Sequence, residues 1–176
     1  GPVRLNVPAD IFSDGFGTPS GKVEFYSRSM AAQGLDPLPN GDPSVDAAGR
    51  GRFGLQLITP PRHQFLNSTF NEIDDLRHQA GPPILMIHPD VAKDRGIEEN
   101  VQVRVFNDRG EVLLFARITD RTGPGVTVGE GIYWPRFMPG KHGINHLTSL
   151  ALTDMGQSRA FHSNLVGVTP LHPGDR

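Results

Sequence analysis

The 176-residue chain has no cysteine. Disulfides, thiolate metal sites, iron–sulfur ligation and a cysteine nucleophile are therefore excluded. Long apolar runs are missing too, and none approaches the roughly 20 residues that a helix needs to cross a bilayer. With 17 basic and 19 acidic side chains the net charge is −2, so the chain lacks the basic excess of a nucleic-acid-binding surface. It also lacks a Walker loop, a Rossmann glycine pattern and a Gly-x-Ser-x-Gly nucleophile turn. Its start, Gly1-Pro2-Val3-Arg4-Leu5, has neither Met nor the apolar segment of a secretory signal. We expect a fragment of a longer protein, with Gly1-Pro2 either native or a cloning remnant. A cytoplasmic location is the expectation, although a fragment says nothing about the export of its parent.

What the chain does have is punctuation. Its 21 glycines and 16 prolines suit short strands joined by many turns. Residues 1–52 read as an N-terminal arm and flexible loop with one short strand at Lys22–Ser27. From Leu35 to Gly51 few large apolar groups occur, so that stretch is expected as a peripheral surface loop. The core begins at Phe53. Phe53–Thr59, Pro83–Ile87, Val101–Val105, Glu111–Thr119, Val126–Val128 and Asn164–Thr169 are strand candidates, and Val103 and Val105 alternate with Gln102 and Arg104. Asn107-Asp-Arg-Gly110 supplies the turn of a hairpin, taken to lie away from any binding site. Asn71–Gln79 and the segment from Pro89 to Gly96 are short helices, and Ile144–Thr153 is weakly helical. Residues 53–176 thus make a mainly β domain with short helices.

Two segments lack acidic residues although the chain is acidic overall. No Asp or Glu stands between Asp46 and Glu72, and none lies within Gly131–Thr153. In the first, Thr59-Pro-Pro breaks the strand pairing, and Arg62, His63, Asn67, Ser68 and Thr69 follow with Phe65, Leu66 and Phe70 as apolar anchors. The second carries Arg136, Lys141, His142 and His146 beside Tyr133, Trp134 and Phe137. Such fields favour an anion, and charge-assisted bonds to phosphate are the strong ones. The plainer alternatives stay open: Ser68, Thr69 or Asn71 capping the helix near Glu72, and His88 or Asp90 doing so at Pro89. His142 and His146 have no obvious third metal ligand, so no metal site is expected. Asp74-Asp75 and Glu98-Glu99 read as solvated faces.

In order along the chain, Thr18-Pro-Ser-Gly-Lys-Val-Glu24, the Thr59–Phe70 loop, His88–Ile97, the Val101–Ile118 hairpin and Asn145-His-Leu-Thr148 form a pattern. It resembles the C-terminal molybdopterin-dinucleotide-binding domain of dimethyl-sulfoxide-reductase-type molybdenum oxidoreductases. The resemblance covers roughly Phe16 to Leu171. It implies a six-stranded double-psi β-barrel, the aspartate-decarboxylase-like fold. It also implies that Thr59, Arg62, His63, Asn67, Ser68, His88, Asp90, Trp134, Asn145, His146 and Thr148 meet the cofactor, molybdopterin guanine dinucleotide. The implied cofactor is the bis form, carrying molybdenum or tungsten and shared with other domains of a parent that would be an enzyme. No catalytic residue and no metal ligand would lie in this chain, and this domain would insert into no membrane and bind no nucleic acid. His88 and Glu98-Glu-Asn100 depart from the Asn and Asp-Gly-Asp usual there. The competing expectation is a double-psi barrel that binds a partner or peptide. A self-processing decarboxylase is disfavoured, since no Gly is followed directly by Ser.

Overall fold

The computed structural model describes residues 12–38, 52–153, 156–171 and 174. Of the expected Leu35–Gly51 loop, residues 39–51 lie outside the described residues. The chain divides into two compact units, Gly1–Gly41 and Asp42–Arg176.

In the first unit the expected strand at Lys22–Ser27 does not form. Val23 and Phe25 are 56% and 84% exposed, and a strand without a partner has nothing to hold it. The segment turns instead, with the Thr18 hydroxyl donating to the Lys22 carbonyl at 2.6 Å and the Ser20 N–H to the Glu24 carboxylate at 2.9 Å. A short helix follows, α1 (Arg28–Ala32), capped by Ser27, whose hydroxyl accepts from the Met30 N–H.

The second unit is a closed barrel of six strands in the order β1-β5-β2-β4-β3-β6. Their ranges are β1 (Leu55–Ile58), β2 (Ile84–Ile87), β3 (Gln102–Asn107), β4 (Gly110–Ile118), β5 (Val126–Glu130) and β6 (Asn164–Pro170). The pairs β1–β5 and β2–β4 are parallel, and the other neighbours are antiparallel. This interlocked arrangement is the double-psi barrel. Period-two patterning places Val103, Val105, Val112, Leu114, Ala116, Val166 and Val168 inside, each at most 2% exposed. Each larger side chain so buried contributes on the order of 1.5–3 kcal/mol from removed apolar surface.

Strand direction then sorts the connections. β1, β3 and β5 run toward one end of the barrel, while β2, β4 and β6 run away from it. At this loop end lie residues 59–73, α2 (Asp74–Ala80), the 107–110 turn and the long 131–163 connection. Helix α3 (Pro89–Asp94) and residues 119–125 belong to the opposite end. The 3-10 turn Ile144–Leu147 helps close the loop end: Ile144 and Leu147, three apart, are 4% and 0% exposed. Gly129 leaves room for it, since a Cβ there would stand 3.3 Å from Ile144 Cδ1.

Candidate functional site

The Thr59–Phe70 loop and the start of the 131–163 connection are bonded to one another. The Gly131 N–H donates to the Pro60 carbonyl at 2.9 Å, and the Phe65 and Tyr133 rings meet edge to face at 5.2 Å. Asn71, wholly buried, donates from Nδ2 to the carbonyls of Ser68 (3.1 Å) and Ile132 (3.2 Å), and its Oδ1 accepts from the Trp134 N–H at 3.0 Å. The Trp134 indole N–H donates to the Ser68 carbonyl at 2.6 Å. Arg136 pairs with Glu72 across the same junction.

Within this frame the first loop displays its polar tip. A small bridge between Leu66 and Thr69 carries Asn67 at φ 53 and Ser68, and both are exposed. Asn tolerates that left-handed conformation better than most residues. His63 is exposed as well. Thr59 is half-buried and donates its N–H to His162 Nδ1 at 3.3 Å. In the second segment the turn that buries Ile144 and Leu147 turns Asn145 and His146 outward. His146 stacks on His142 at 4.6 Å, and Thr148 is half-buried beneath. Among the described residues no cluster of three or more His, Asp or Glu could hold a metal ion.

Arg62 sits differently from its neighbours. Its side chain is 16% exposed and points at Glu130, with Nη1 3.6 Å from the carboxylate. That Nη1 is buried and without a hydrogen-bond partner. Burial pushes the nearby Tyr133 phenol above its ordinary value of 10.0; the Arg62 guanidinium lowers it and the Glu130 carboxylate raises it. The Tyr133 hydroxyl donates to the Gly81 carbonyl at 2.9 Å.

His88 and Asp90 are not brought to this end. They follow β2 at the opposite one, where His88 Nδ1 caps α3 by accepting from the Asp90 N–H at 3.3 Å. At α2 the capping alternative does not hold, because Ile73 is its N-cap and no side chain bonds there. Asp74 and Asp75 favour that helix end by charge instead. The 107–110 turn is also closer to the site than expected. Asn107 Nδ2 and Arg109 Nε both donate to the Leu147 carbonyl, at 2.9 and 3.0 Å.

The residues missed from sequence are Asn71, Asn164 and His162. Asn164, 2% exposed, accepts from the Ser149 N–H at 2.9 Å and donates to the Phe161 carbonyl at 3.0 Å, holding the end of the long connection. A buried Asn has no signature in one sequence, since exposed and buried Asn look alike there. A depression of about 950 Å³ lies on the outer wall by Gln102, Leu113 and Thr169. It contains the closed Arg104–Glu111 ion pair at 2.5 Å and, from the 131–163 connection, Pro139 and Gly140, but none of the site residues expected from sequence.

Fold and loops together define a class first: a closed barrel whose loops at one end present exposed hydrogen-bonding side chains. The chain belongs to the molydopterin dinucleotide binding domain family, whose model matches residues 55–165. It is 34% identical over 158 residues to a probable oxidoreductase, YoaE, of Bacillus subtilis, covering 90% of this chain and 23% of that protein. It is likewise 34% identical over 168 residues to dimethyl sulfoxide reductase DmsA of Escherichia coli, covering 86% of this chain and 20% of DmsA. The acetylene hydratase structure from Pelobacter acetylenicus shares the fold, with a TM-score of 0.74 at 21% identity over 90% of this chain and 24% of that one. The chain thus spans about a fifth to a quarter of the curated relatives it matches.

Proposed function

We propose that the loop end of this barrel holds molybdopterin guanine dinucleotide within a longer oxidoreductase. His63, Asn67, Ser68, Asn145, His146 and Thr148 are the groups that meet it. The carrying observation is that two acid-free segments project these side chains from one end of the barrel, joined there by direct hydrogen bonds. Glu72, Asp74 and Glu130, which belong to the same end of the barrel, are each paired with an arginine. The donor set fits a phosphate-bearing heterocycle, since Asn both donates and accepts. Arg62 is turned onto Glu130, with its Nη1 buried and lacking a hydrogen-bond partner, so its charge offsets that carboxylate.

When bound, the molybdenum of this cofactor supplies the two-electron chemistry, and the protein supplies orientation and electrostatics. The metal ligand belongs to a part of the parent outside this chain. Trp134 acts from within the loop pair, its indole N–H being spent on Ser68. Other parts of the parent complete the cleft. In support, among the described residues the exposed large apolar side chains of the barrel unit are Leu66, Phe70, Ile73, Leu150, Leu152 and Phe161, all in the loops after β1 and β5.

The test is cofactor retention by the longer parent protein. The Asn67→Ala/Asn145→Ala double variant should release less guanine nucleotide per mole on denaturation than the unsubstituted protein. Arg121→Ala, at the opposite end of the barrel, should release the same. Equal content in the double variant and the parent would remove the proposal.

A further inference from the structure

Residues 66–70 are all exposed, yet Asn71 directly after them is 0% exposed. Its carboxamide is fully used. Oδ1 accepts from the Trp134 backbone, and Nδ2 donates to Ser68 on its own loop and to Ile132 on the other. Its main-chain carbonyl accepts from Arg77 Nη1 at 2.7 Å, which anchors the position to α2. The Ser68 carbonyl receives a second donor, the Trp134 indole. The exposed tip, Asn67 and Ser68, is therefore held by the Asn71 amide, which spans both loops, together with the Trp134 indole.

We infer that Asn71 is a positioning residue for ligand binding: it sets where Asn67 and Ser68 point and couples their loop to the 131–137 segment. The chemistry demands Asn. Asp offers no amide donor and would face two carbonyl oxygens with a negative charge. Gln carries the same groups one methylene further out, which displaces them from these three partners at a site closed to solvent. A helix-capping role is ruled out, because the side chain bonds away from α2, whose N-cap is Ile73. The inference rests on the loop being the ligand-holding one.

The chain has a single tryptophan, so the Trp134 indole N–H is a unique NMR reporter of this junction. In Asn71→Asp at neutral pH, that signal should lose its protection from hydrogen exchange while the methyl signals of Val103, Val105 and Val168 stay in place. Burial against two carbonyls raises the pKa of the introduced carboxyl. On acidification its neutral form regains a hydroxyl donor, so indole protection should return within the folded range. Addition of guanosine diphosphate should shift Asn67 and Ser68 in the unsubstituted chain, and in the variant at least several-fold less at neutral pH, with recovery at lower pH. Asn71→Ser, uncharged, serves as the second variant and should show the same loss without the pH recovery. Unchanged indole protection, or collapse of the barrel methyls together with the loop in both variants, would overturn the inference. If the unsubstituted chain gives no response to the nucleotide while the indole effects appear, the ligand reading fails and the coupling stands. An equal nucleotide response in variant and parent sinks the positioning role alone.

Discussion

At Gly131 the backbone turns with φ +90, and a Cβ there would stand 3.0 Å from the Tyr133 ring and 3.2 Å from Arg62 Cβ. Gly131→Ala should cost on the order of 1–3 kcal/mol in urea unfolding, from backbone strain together with that crowding. A cost near zero would mean that the junction relaxes freely. Tyr133 beside it predicts a pH dependence. Its phenol is raised above 10.0 in the folded chain, chiefly by burial. Below that value both states hold the proton and its contribution is whole. As pH rises past it, the unfolded chain releases the proton first, so stability falls until the folded phenol ionises too. Tyr133→Phe should lose about 1 kcal/mol at neutral pH with the bond to Gly81, and its fall in stability between about pH 9 and about pH 11 should be shallower. Urea midpoints across that range check both signs. At this scale the sequence shows polarity but not direction. His63, Asn67 and Ser68 lie exposed as a polar loop suggests, whereas Arg62 is turned inward onto Glu130 and Asn71 is buried. Which way a loop side chain points is decided by a partner far along the chain, and composition carries no record of that partner.

The 3-10 turn Ile144–Leu147 separates two jobs within four residues. Leu147 is 0% exposed in the core, so Leu147→Ala should cost about 2–5 kcal/mol as transfer and cavity terms add. Asn145 is exposed on the same turn, so Asn145→Ala should stay within about 0.5 kcal/mol. Chemical denaturation of the two variants distinguishes a plug with a polar rim from a loosely attached loop, for which both changes would be mild. Elements were legible where the residues themselves dictate a period. The β3–β4 hairpin follows from Val103 and Val105 alternating with Gln102 and Arg104, and the His88-Pro89 start and the Gly96 at φ 63 bound α3. The Lys22–Ser27 alternation misleads, since pattern without a partner makes no strand. The Ile144–Thr153 helix shrinks to one turn, because tertiary packing of Ile144 and Leu147 organises it, not helix propensity.

For the whole molecule, closure of the barrel was beyond any periodicity argument. Neighbours such as Leu57 and Asn164 are 107 residues apart in sequence, and only the order of several motifs along the chain implied the topology. Net charge of −2 is likewise silent about the loop end, where arginine–carboxylate pairing and acid-free segments set the local field. On the proposed reading this chain alone offers one side of a cleft, so association entropy should leave its affinity for a nucleotide low, with a dissociation constant on the order of 1 mM or weaker. The direct measurement is an NMR titration of the 176-residue chain with guanosine diphosphate at millimolar concentration and low salt. Shifts at His63, Asn67, Ser68, the Trp134 indole and Asn145–Thr148, fading as salt rises, are the predicted result. Silence of all these signals, or shifts confined to residues 119–125 at the opposite end, would contradict the assignment of the loop end as the dinucleotide site.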